Sequence, residues 1–320
     1  MKTRLLFIVA IITLITASLS APFSTGWAAP TLSSDDPQAP TTTYSMFFPA
    51  VNRNFPIESG INYMVIDHNS IDQFAFIPNQ YISAASQVRQ LFRHASVGDN
   101  ISQGLDCLMN NTQPRPYSCD SGLPESQIIY DPKFNRNNWL FEFHQPPPSQ
   151  NPGWFEKISL FTNRVDALGS NSPYTVYGFK FGYVDGVSGT TIEDEFFRYP
   201  DGTYPTIYDL EALEDRHPNR TFVYWTMGLA RSVGTPESAS FNSQMRAYAS
   251  ANNKILFDIA DIQSHRPDGT PCYGNQGNGI EALCDEYTDE VNGGHLNSLG
   301  MQRMAKAYWV LMARLAGWHP

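Results

Sequence analysis

The sequence predicts an α/β protein in which a parallel sheet is covered by helices on both faces. Short apolar segments of strand-like composition alternate with segments whose apolar residues recur at helical spacing. Because parallel strands need crossover connections, this alternation favours right-handed strand–helix–strand units. In such sheets the reacting groups gather beyond the carboxyl ends of the strands. The loops expected at that edge are residues 93–100, 182–187, 226–235 and 258–269.

The predicted strands are short, apolar and rich in β-branched and aromatic residues. They lie at residues 62–67, 87–92, 139–143, 174–183, 221–226 and 254–259. Capping residues and apolar stripes place the helices between these strands. The helices are expected to begin at Ser96, at Asn151-Pro152, near Ile207, at Thr235-Pro236 and near Asn297 or Ser298.

The first residues are typical of a signal peptide. Lys2 and Arg4 precede an apolar run at 5–15, and small residues suited to cleavage follow near 20–21 and again near 28–29. Either position is compatible with cleavage.

The chain is accordingly divided into a signal peptide at 1–29, a disordered linker at 30–45 and one domain at 46–320. The linker is rich in Pro, Ser, Thr and Asp. No later segment approaches the 18 apolar residues of a membrane-spanning helix. The mature protein is therefore expected to be secreted or extracytoplasmic, without membrane association once the signal peptide has been removed.

Charge excludes one class of partner. The chain carries 31 acidic and 21 basic side chains, and its formal net charge is −10. Nucleic acids and anionic membranes need a basic face, so neither is an expected partner. The sequence contains no P-loop and no dinucleotide-binding glycine pattern, and no cofactor is predicted.

Four cysteines predict two local disulfides. Cys107 and Cys119 are twelve positions apart, and so are Cys272 and Cys284. An exported chain permits both crosslinks, and each is worth about 3 kcal/mol in the chain-entropy model. Zinc is the rival interpretation, but the Cys-x-x-Cys spacing of most zinc sites is absent.

Ser96 occupies the junction between a predicted strand and a predicted helix. The apolar face of that helix is formed by Val97, Ile101, Leu105 and Leu108. A hydroxyl at the N-cap lies beside unpaired backbone N–H groups and the positive end of the helix dipole, which favour an oxyanion. Ser96 is therefore either a helix cap or a nucleophile.

His295 is the strongest histidine candidate for a general base. It follows Gly293-Gly294, which allow a tight turn and a close approach to a ligand, and it precedes the last helix. A polar loop residue without chemistry is the alternative interpretation.

The strand–Ser–helix turn and the Gly-Gly-His segment together resemble the SGNH/GDSL hydrolases, and a bacterial branch of that superfamily in particular. The resemblance is carried by residues 96–101, 104–108, 225–226, 229–231, 256–262 and 293–296, through to Trp318. It implies a three-layer α/β/α sandwich of flavodoxin-like type over residues 46–320. It also implies a secreted esterase that acts on a small-molecule or polysaccharide ester, such as an acylated sugar or a lipid. We expect a monomer.

Within this resemblance Ser96 matches the nucleophile and His295 the base. Asn292 stands where the family has an aspartate, three residues before the histidine. Val184 stands where the family has the asparagine of the oxyanion hole. The expected oxyanion donors are Ser96, Gly98, Asn100 and Gly182.

Asn292 is expected to orient His295, although an amide supplies no charge for the imidazolium. In a catalytic triad the change from Asp to Asn costs about 10⁴ in turnover. A carboxylate could instead come from another direction. The candidates are Asp258, Asp261, Asp289 and Glu290, the first two with capping as the alternative role.

The rival function is a cell-surface carbohydrate-binding protein that keeps the hydrolase fold without turnover. Its support is the 13% content of aromatic residues together with the Pro-rich segment at 110–150, which could build a sugar platform. Aromatic-rich cores also explain such a composition. A metal site formed by Asp258, Asp261 and His265 is a third interpretation. Their spacing fits no specific ligand pattern, so no metal is predicted.

Overall fold

The computed structural model describes residues 63–109, 117–120, 123, 129–145, 150–200, 202–274 and 279–320. These residues belong to one compact unit. The predicted signal peptide and linker, and the first part of the predicted domain, lie outside the described residues.

An all-parallel sheet of six strands forms the centre of the described structure. Each of the six predicted segments overlaps one strand, and the predicted α/β class with a mostly parallel sheet is confirmed. The strands are β1 (Met64–Ile66), β2 (Gln90–His94), β3 (Trp139–Phe143), β4 (Val176–Phe179), β5 (Thr221–Trp225) and β6 (Ile255–Phe257).

The order of the strands across the sheet is β1-β6-β5-β4-β2-β3. Without β1 this is the 2-1-3-4-5 order of flavodoxin-like sheets. The chain runs from β2 to β3 on one side and then returns to β4 on the other. A crevice therefore opens beyond the carboxyl end of β2, and Ser96 lies there, two residues after that strand.

Helices connect the strands. The α-helices of the described residues are α1 (Asn79–Gln87), α2 (Val97–Met109), α3 (Tyr117–Asp120), α4 (Trp154–Leu168), α5 (Ile192–Glu195), α6 (Ile207–Arg216), α7 (Pro236–Ala251), α8 (Ile259–Ser264) and α9 (Ser298–Leu315). Short 3-10 helices lie at Asn69–Phe76, Tyr183–Gly186 and Asp285–Tyr287.

Helices cover both faces of the sheet. Successive side chains of a strand point to opposite faces. Leu91 of β2 accordingly belongs to an apolar cluster built with α4, α6 and α7, whereas Phe92 belongs to a second cluster built with α1, α2 and α9. The three layers of the expected sandwich are therefore present.

Several predicted boundaries were wrong. β2 begins at Gln90 because Gln87 still belongs to α1, and it continues to His94. Arg93 within it is paired with Glu142 at 3.0 Å. α4 begins at Trp154 instead of Pro152, because the Glu156 carboxylate accepts the Gly153 N–H and closes the first turn there. The segment predicted as a strand at 174–183 contributes only Val176–Phe179, since the chain turns into a 3-10 helix at Tyr183.

Both predicted disulfides are present. Cys107 is bonded to Cys119 and Cys272 to Cys284, with Cα–Cα distances of 5.4 and 5.3 Å. In the part of the chain that the structure describes, no helix combines the length and the hydrophobicity needed to cross a bilayer.

Candidate active site

Ser96 lies on a sharp turn between β2 and α2. Its φ of +52° is in the left-handed region. A residue other than glycine adopts this backbone conformation only when the surrounding structure imposes it. The turn is closed by hydrogen bonds from Gly98 N–H to Ala95 O (3.0 Å) and from Asp99 N–H to Ser96 O (2.7 Å). A side chain at position 98 would overlap His94, so glycine is required where α2 begins over β2. The turn presents the Ser96 hydroxyl beyond the end of the strand.

His295 faces Ser96 from the loop before α9. Its Nε2 lies 2.7 Å from Ser96 Oγ, and its Nδ1 lies 2.7 Å from Glu290 Oε1. A carboxylate can only accept, so Nδ1 carries the proton and Nε2 is left to accept from the serine hydroxyl. The three side chains thus form a serine–imidazole–carboxylate chain with the donor directions of a catalytic triad.

Glu290 is held in place by the backbone that it faces. Its Oε2 accepts the His295 backbone N–H at 3.0 Å. Burial alone would raise the pKa of this carboxyl, but the bonds from the backbone and ring of His295, with a further contribution from the Gly294 N–H, outweigh it and lower the pKa. A Cβ at position 293 would overlap the same carboxylate, so the side chain can fold back only over a glycine. The same hydrogen bonds therefore favour the ionised form of Glu290.

The loop that carries Glu290 and His295 is fixed to its surroundings. Thr288 Oγ1 donates to His295 O at 2.5 Å, which closes the loop on itself. Arg231 donates its backbone N–H to Gly293 O at 2.7 Å. From the nucleophile side, Asn100 Oδ1 accepts the Leu296 N–H at 3.0 Å. The histidine loop is thus linked directly to the helix that follows Ser96.

The four predicted oxyanion donors differ in what they can offer. The Gly98 N–H is bonded to Ala95 O, and the Gly182 N–H is bonded to Asp185 Oδ2 at 2.7 Å. Neither is a free donor, because an internal acceptor already occupies each of them. Among the described hydrogen bonds none uses the Ser96 backbone N–H or the Asn100 amide nitrogen. Asn100 lies one helical turn after Ser96, and the bond to Leu296 fixes which side of its amide is the donor.

Asn292 does not hold the place predicted for it. Its side chain is exposed, and within the described residues no hydrogen bond joins it to His295. Glu290 bonds Nδ1 instead, because two glycines after it let the chain turn back so that a longer side chain reaches the ring. The negative charge that Asn292 lacks is thereby supplied by Glu290, five residues before His295.

The other candidate carboxylates are engaged elsewhere. Asp289 accepts from Asn297 Nδ2 at 3.2 Å, near the start of α9. Asp258 is paired with Arg246 at 2.6 Å and also accepts the Thr226 hydroxyl. Asp258 and Asp261 therefore act as capping and pairing groups, and His295 is not among the described partners of either.

Asp261 belongs to a cluster of metal-ligating residue types with His68 and His265. Its carboxylate lies 2.6 Å from His68 Nδ1 and 3.3 Å from His265 Nδ1. The two imidazole rings are stacked, with centroids 4.0 Å apart and planes 7° from parallel. The in-plane lone pairs of parallel rings do not converge on one point, so this arrangement suits a shared carboxylate better than a metal ion. Asp258, the third member of the metal set weighed from the sequence, is not part of this cluster.

A buried ion pair supports the loop after β4. Lys157 of α4 and Asp185 are both buried and paired with each other, and the same Asp185 oxygen accepts the Gly182 N–H. Lys180 lies nearby and is also buried. Burial lowers the pKa of the Lys180 ammonium to about 7, and the charge of Lys157 acts in the same direction.

Tyr183 contacts the loop that carries His295, which no sequence pattern predicted. Its ring lies against Gly294, where an added Cβ would be 2.6 Å from the Tyr183 Cδ1 atom. Burial, followed by the negative charge of Glu290, raises the pKa of the Tyr183 hydroxyl. A tyrosine in a predicted strand gives no indication of this contact. Only the turn at Gly182 places the ring against the histidine loop.

No protein-family model and no curated protein matches the sequence. Among solved structures, the chain is similar to a protein assigned to the G-D-S-L lipolytic family from Desulfitobacterium hafniense DCB-2. That match has 11% identity and a TM-score of 0.38, and it covers 72% of this chain and 99% of the other. A second similar structure, assigned as a platelet activating factor from Streptococcus pneumoniae, has 13% identity and a TM-score of 0.37, with coverages of 76% and 94%. Likenesses this distant do not bear on the chemistry of the present chain.

Proposed function

We propose that this protein is an extracytoplasmic serine hydrolase of SGNH type that cleaves ester bonds. The observation that carries the proposal is the hydrogen-bonded chain from Ser96 through His295 to Glu290, with 2.7 Å at each step. A hydroxyl is a weak nucleophile unless a base removes its proton, and this arrangement supplies the base and orients it. The two disulfides support an oxidising compartment.

In the proposed reaction Ser96 Oγ attacks the carbonyl carbon of the ester while its proton passes to His295 Nε2. Glu290 stabilises the imidazolium that forms and keeps the ring in the correct tautomer. The negative charge on the carbonyl oxygen is met by the Ser96 backbone N–H and the Asn100 amide at the start of α2, where the helix dipole adds to their effect. His295 then protonates the leaving alcohol, and an acyl-serine remains.

Water completes the cycle. His295 takes a proton from a water molecule, which attacks the acyl-serine. The carboxylic acid is released when the proton returns to Ser96 Oγ. The same imidazole therefore serves as base and acid in both halves of the reaction.

In the alternative, a carbohydrate-binding protein of the same fold, an uncharged Asn292 beside the histidine would account for the loss of turnover. Glu290 bonds the ring instead, so the geometry favours a charged triad and turnover. The ester class itself comes from the resemblance to SGNH/GDSL hydrolases.

The test is turnover of a fluorogenic short-chain ester, combined with labelling by a serine-reactive phosphonate. We expect the wild-type protein to hydrolyse the ester and to be labelled at Ser96. Ser96→Ala should lose both properties, whereas Ser159→Ala, which removes an exposed hydroxyl on α4, should keep both. Full turnover by Ser96→Ala, or the absence of both turnover and labelling in the wild type, would overturn the proposal.

A further inference from the structure

Five aromatic side chains form two groups of ring contacts, and the proposed reaction does not use them. Tyr199 is 82% exposed, and its ring stacks on Tyr208 with centroids 5.2 Å apart and planes 9° from parallel. Tyr204 contacts the rings of Trp154 and Phe155 at 5.2 and 5.3 Å. Trp154 is buried, and the chain segment 204–208 links the two groups. We call Phe155, Tyr199, Tyr204 and Tyr208 the aromatic patch.

The patch leaves ring surface in water at some cost. One face of Tyr199 is covered by Tyr208, and its other face has no ring against it among the described contacts. Phe155 is 38% exposed although it has two aromatic neighbours. Single exposed aromatic residues are common, whereas grouped ones mark a binding surface.

The topology places the patch at the same edge of the sheet as Ser96. α4 follows β3, so its first residues, Trp154 and Phe155, lie at the carboxyl ends of the parallel strands. α6 leads into the start of β5, so its first turn, with Tyr208, lies at that edge too. Tyr199 and Tyr204 belong to the segment that leads into α6. β3 and β4 are the two neighbours of β2 in the sheet, so the patch and Ser96 share this edge of the sheet.

The charges around the patch restrict its ligand. Arg198 is paired with Glu195 at 3.4 Å and lies 3.7 Å from Asp194, so its charge is already balanced. Asp209 and Glu156 add two further carboxylates at the first turns of α6 and α4. An acidic surrounding repels polyanions and anionic membranes, which bind basic surfaces. Tyrosine combines a flat apolar face with a hydroxyl, which suits a ligand that is itself flat, apolar on one face and rich in hydroxyl groups.

We infer that the aromatic patch binds an uncharged polysaccharide, whose sugar rings stack on Tyr199 and Phe155. Such a ligand has a flat apolar face that can stack on a ring, it is rich in hydroxyl groups, and it carries no negative charge. A long polymer bound there would lie along the edge of the sheet that carries Ser96. That this polymer carries the ester rests on the proposed function, but the binding itself does not.

The experiment measures binding with the full chain in the Ser96→Ala background, so that no ester is consumed. The probes are chitin, amorphous cellulose and insoluble xylan, with depletion of protein from solution as the readout. We expect binding to at least one of them. Adding Tyr199→Ala and Phe155→Ala should weaken that binding by about 10-fold or more, because two stacked contacts are removed.

The matched control is Phe76→Ala, which removes an exposed aromatic residue from the 3-10 helix at Asn69–Phe76, outside the patch. It should bind like the parent protein. Tyr199→Ala alone removes a side chain that is mostly in water, so a folding defect cannot account for its loss of binding. Thermal midpoints of all variants are measured alongside.

Three results would overturn the inference. These are no depletion by any of the three polymers, depletion that the patch variants leave unchanged, and binding to phosphatidylcholine vesicles that the patch variants abolish. Ester turnover by the wild type without polysaccharide binding would contradict only this inference. Polysaccharide binding without turnover would contradict only the proposed function.

Discussion

Glu290 lies five residues before His295, yet its carboxylate accepts hydrogen bonds from both the ring and the backbone N–H of that histidine. A separation of five residues is bridged because the chain between them reverses direction over Gly293 and Gly294. The carboxylate is thus fixed at both of its oxygens, and so is the plane of the ring.

Glu290→Gln is expected to lower kcat/KM for a model ester by about 10³ to 10⁴, since an amide neither stabilises the imidazolium nor enforces the tautomer. Asn292→Asp and Asn292→Ala should each remain within about 2-fold of the wild type, because the exposed Asn292 has no described contact with the ring. The measurement is kcat/KM with the thermal midpoint as a folding check. A large loss in Asn292→Ala together with an active Glu290→Gln would reverse the two assignments.

Two variants separate the two roles of Asn100. Asn100→Asp keeps an oxygen that can accept the Leu296 N–H but removes the amide donor and adds a negative charge, whereas Asn100→Ala removes both functions. If the amide meets the oxyanion, both variants should lose about 10² to 10³ in kcat with little change in KM. If the bond to Leu296 is all that matters, Asn100→Asp should keep most of its activity. Steady-state kinetics distinguish these outcomes.

Gly293→Ala should disable the site without unfolding the protein. The added methyl group would displace the Glu290 carboxylate from His295, and its three nearest atoms all belong to that flexible side chain. We expect a loss of kcat/KM comparable to that of Glu290→Gln and a thermal midpoint within a few degrees of the wild type.

Gly228→Ala is the matched control for this substitution. A Cβ at position 228 would meet its nearest neighbour at 3.5 Å, which is an ordinary contact. This variant should retain its activity. Retained activity in Gly293→Ala would show that Glu290 is not required in the position observed.

Lys180 gives the protein a stability that depends on pH. Its folded-state pKa of about 7 lies below the ordinary value of 10.5, so between these values the unfolded chain binds more protons than the folded one. Stability is therefore expected to rise as the pH increases from about 7 toward 10. Lys180→Met should flatten this rise and increase the thermal midpoint at pH 7, because a buried ammonium is replaced by an apolar side chain of similar length.

The control for the pH series is Lys133→Met, which changes a lysine that is 45% exposed. Thermal melts of the three proteins over this range of pH provide the measurement. A Lys180→Met variant as pH-dependent as the wild type would contradict the assignment of the rise to Lys180.

The sequence by itself determined the class of fold, the strand segments and the pairing of the cysteines. These features depend on local patterns. Each of these patterns can be recognised within a short stretch of sequence. Examples are the apolar segments of strand composition, Thr235-Pro236 at a helix start and the cysteines twelve residues apart. Ser96 was found for the same reason, because a strand followed directly by an apolar helical stripe marks the turn between them.

The tertiary structure decided which carboxylate reaches the histidine. A spacing of three residues, matched to a family pattern, favoured Asn292, whereas the folded loop turns its own backbone so that Glu290 reaches Nδ1. It also showed that the Gly98 and Gly182 N–H groups are already bonded, a fact that no local pattern carries. The aromatic patch likewise joins residues from α4, α6 and the segment between β4 and α6. The direction of a side chain and the occupancy of a hydrogen-bonding group depend on neighbours that are distant in sequence, and only the packed chain brings those neighbours together.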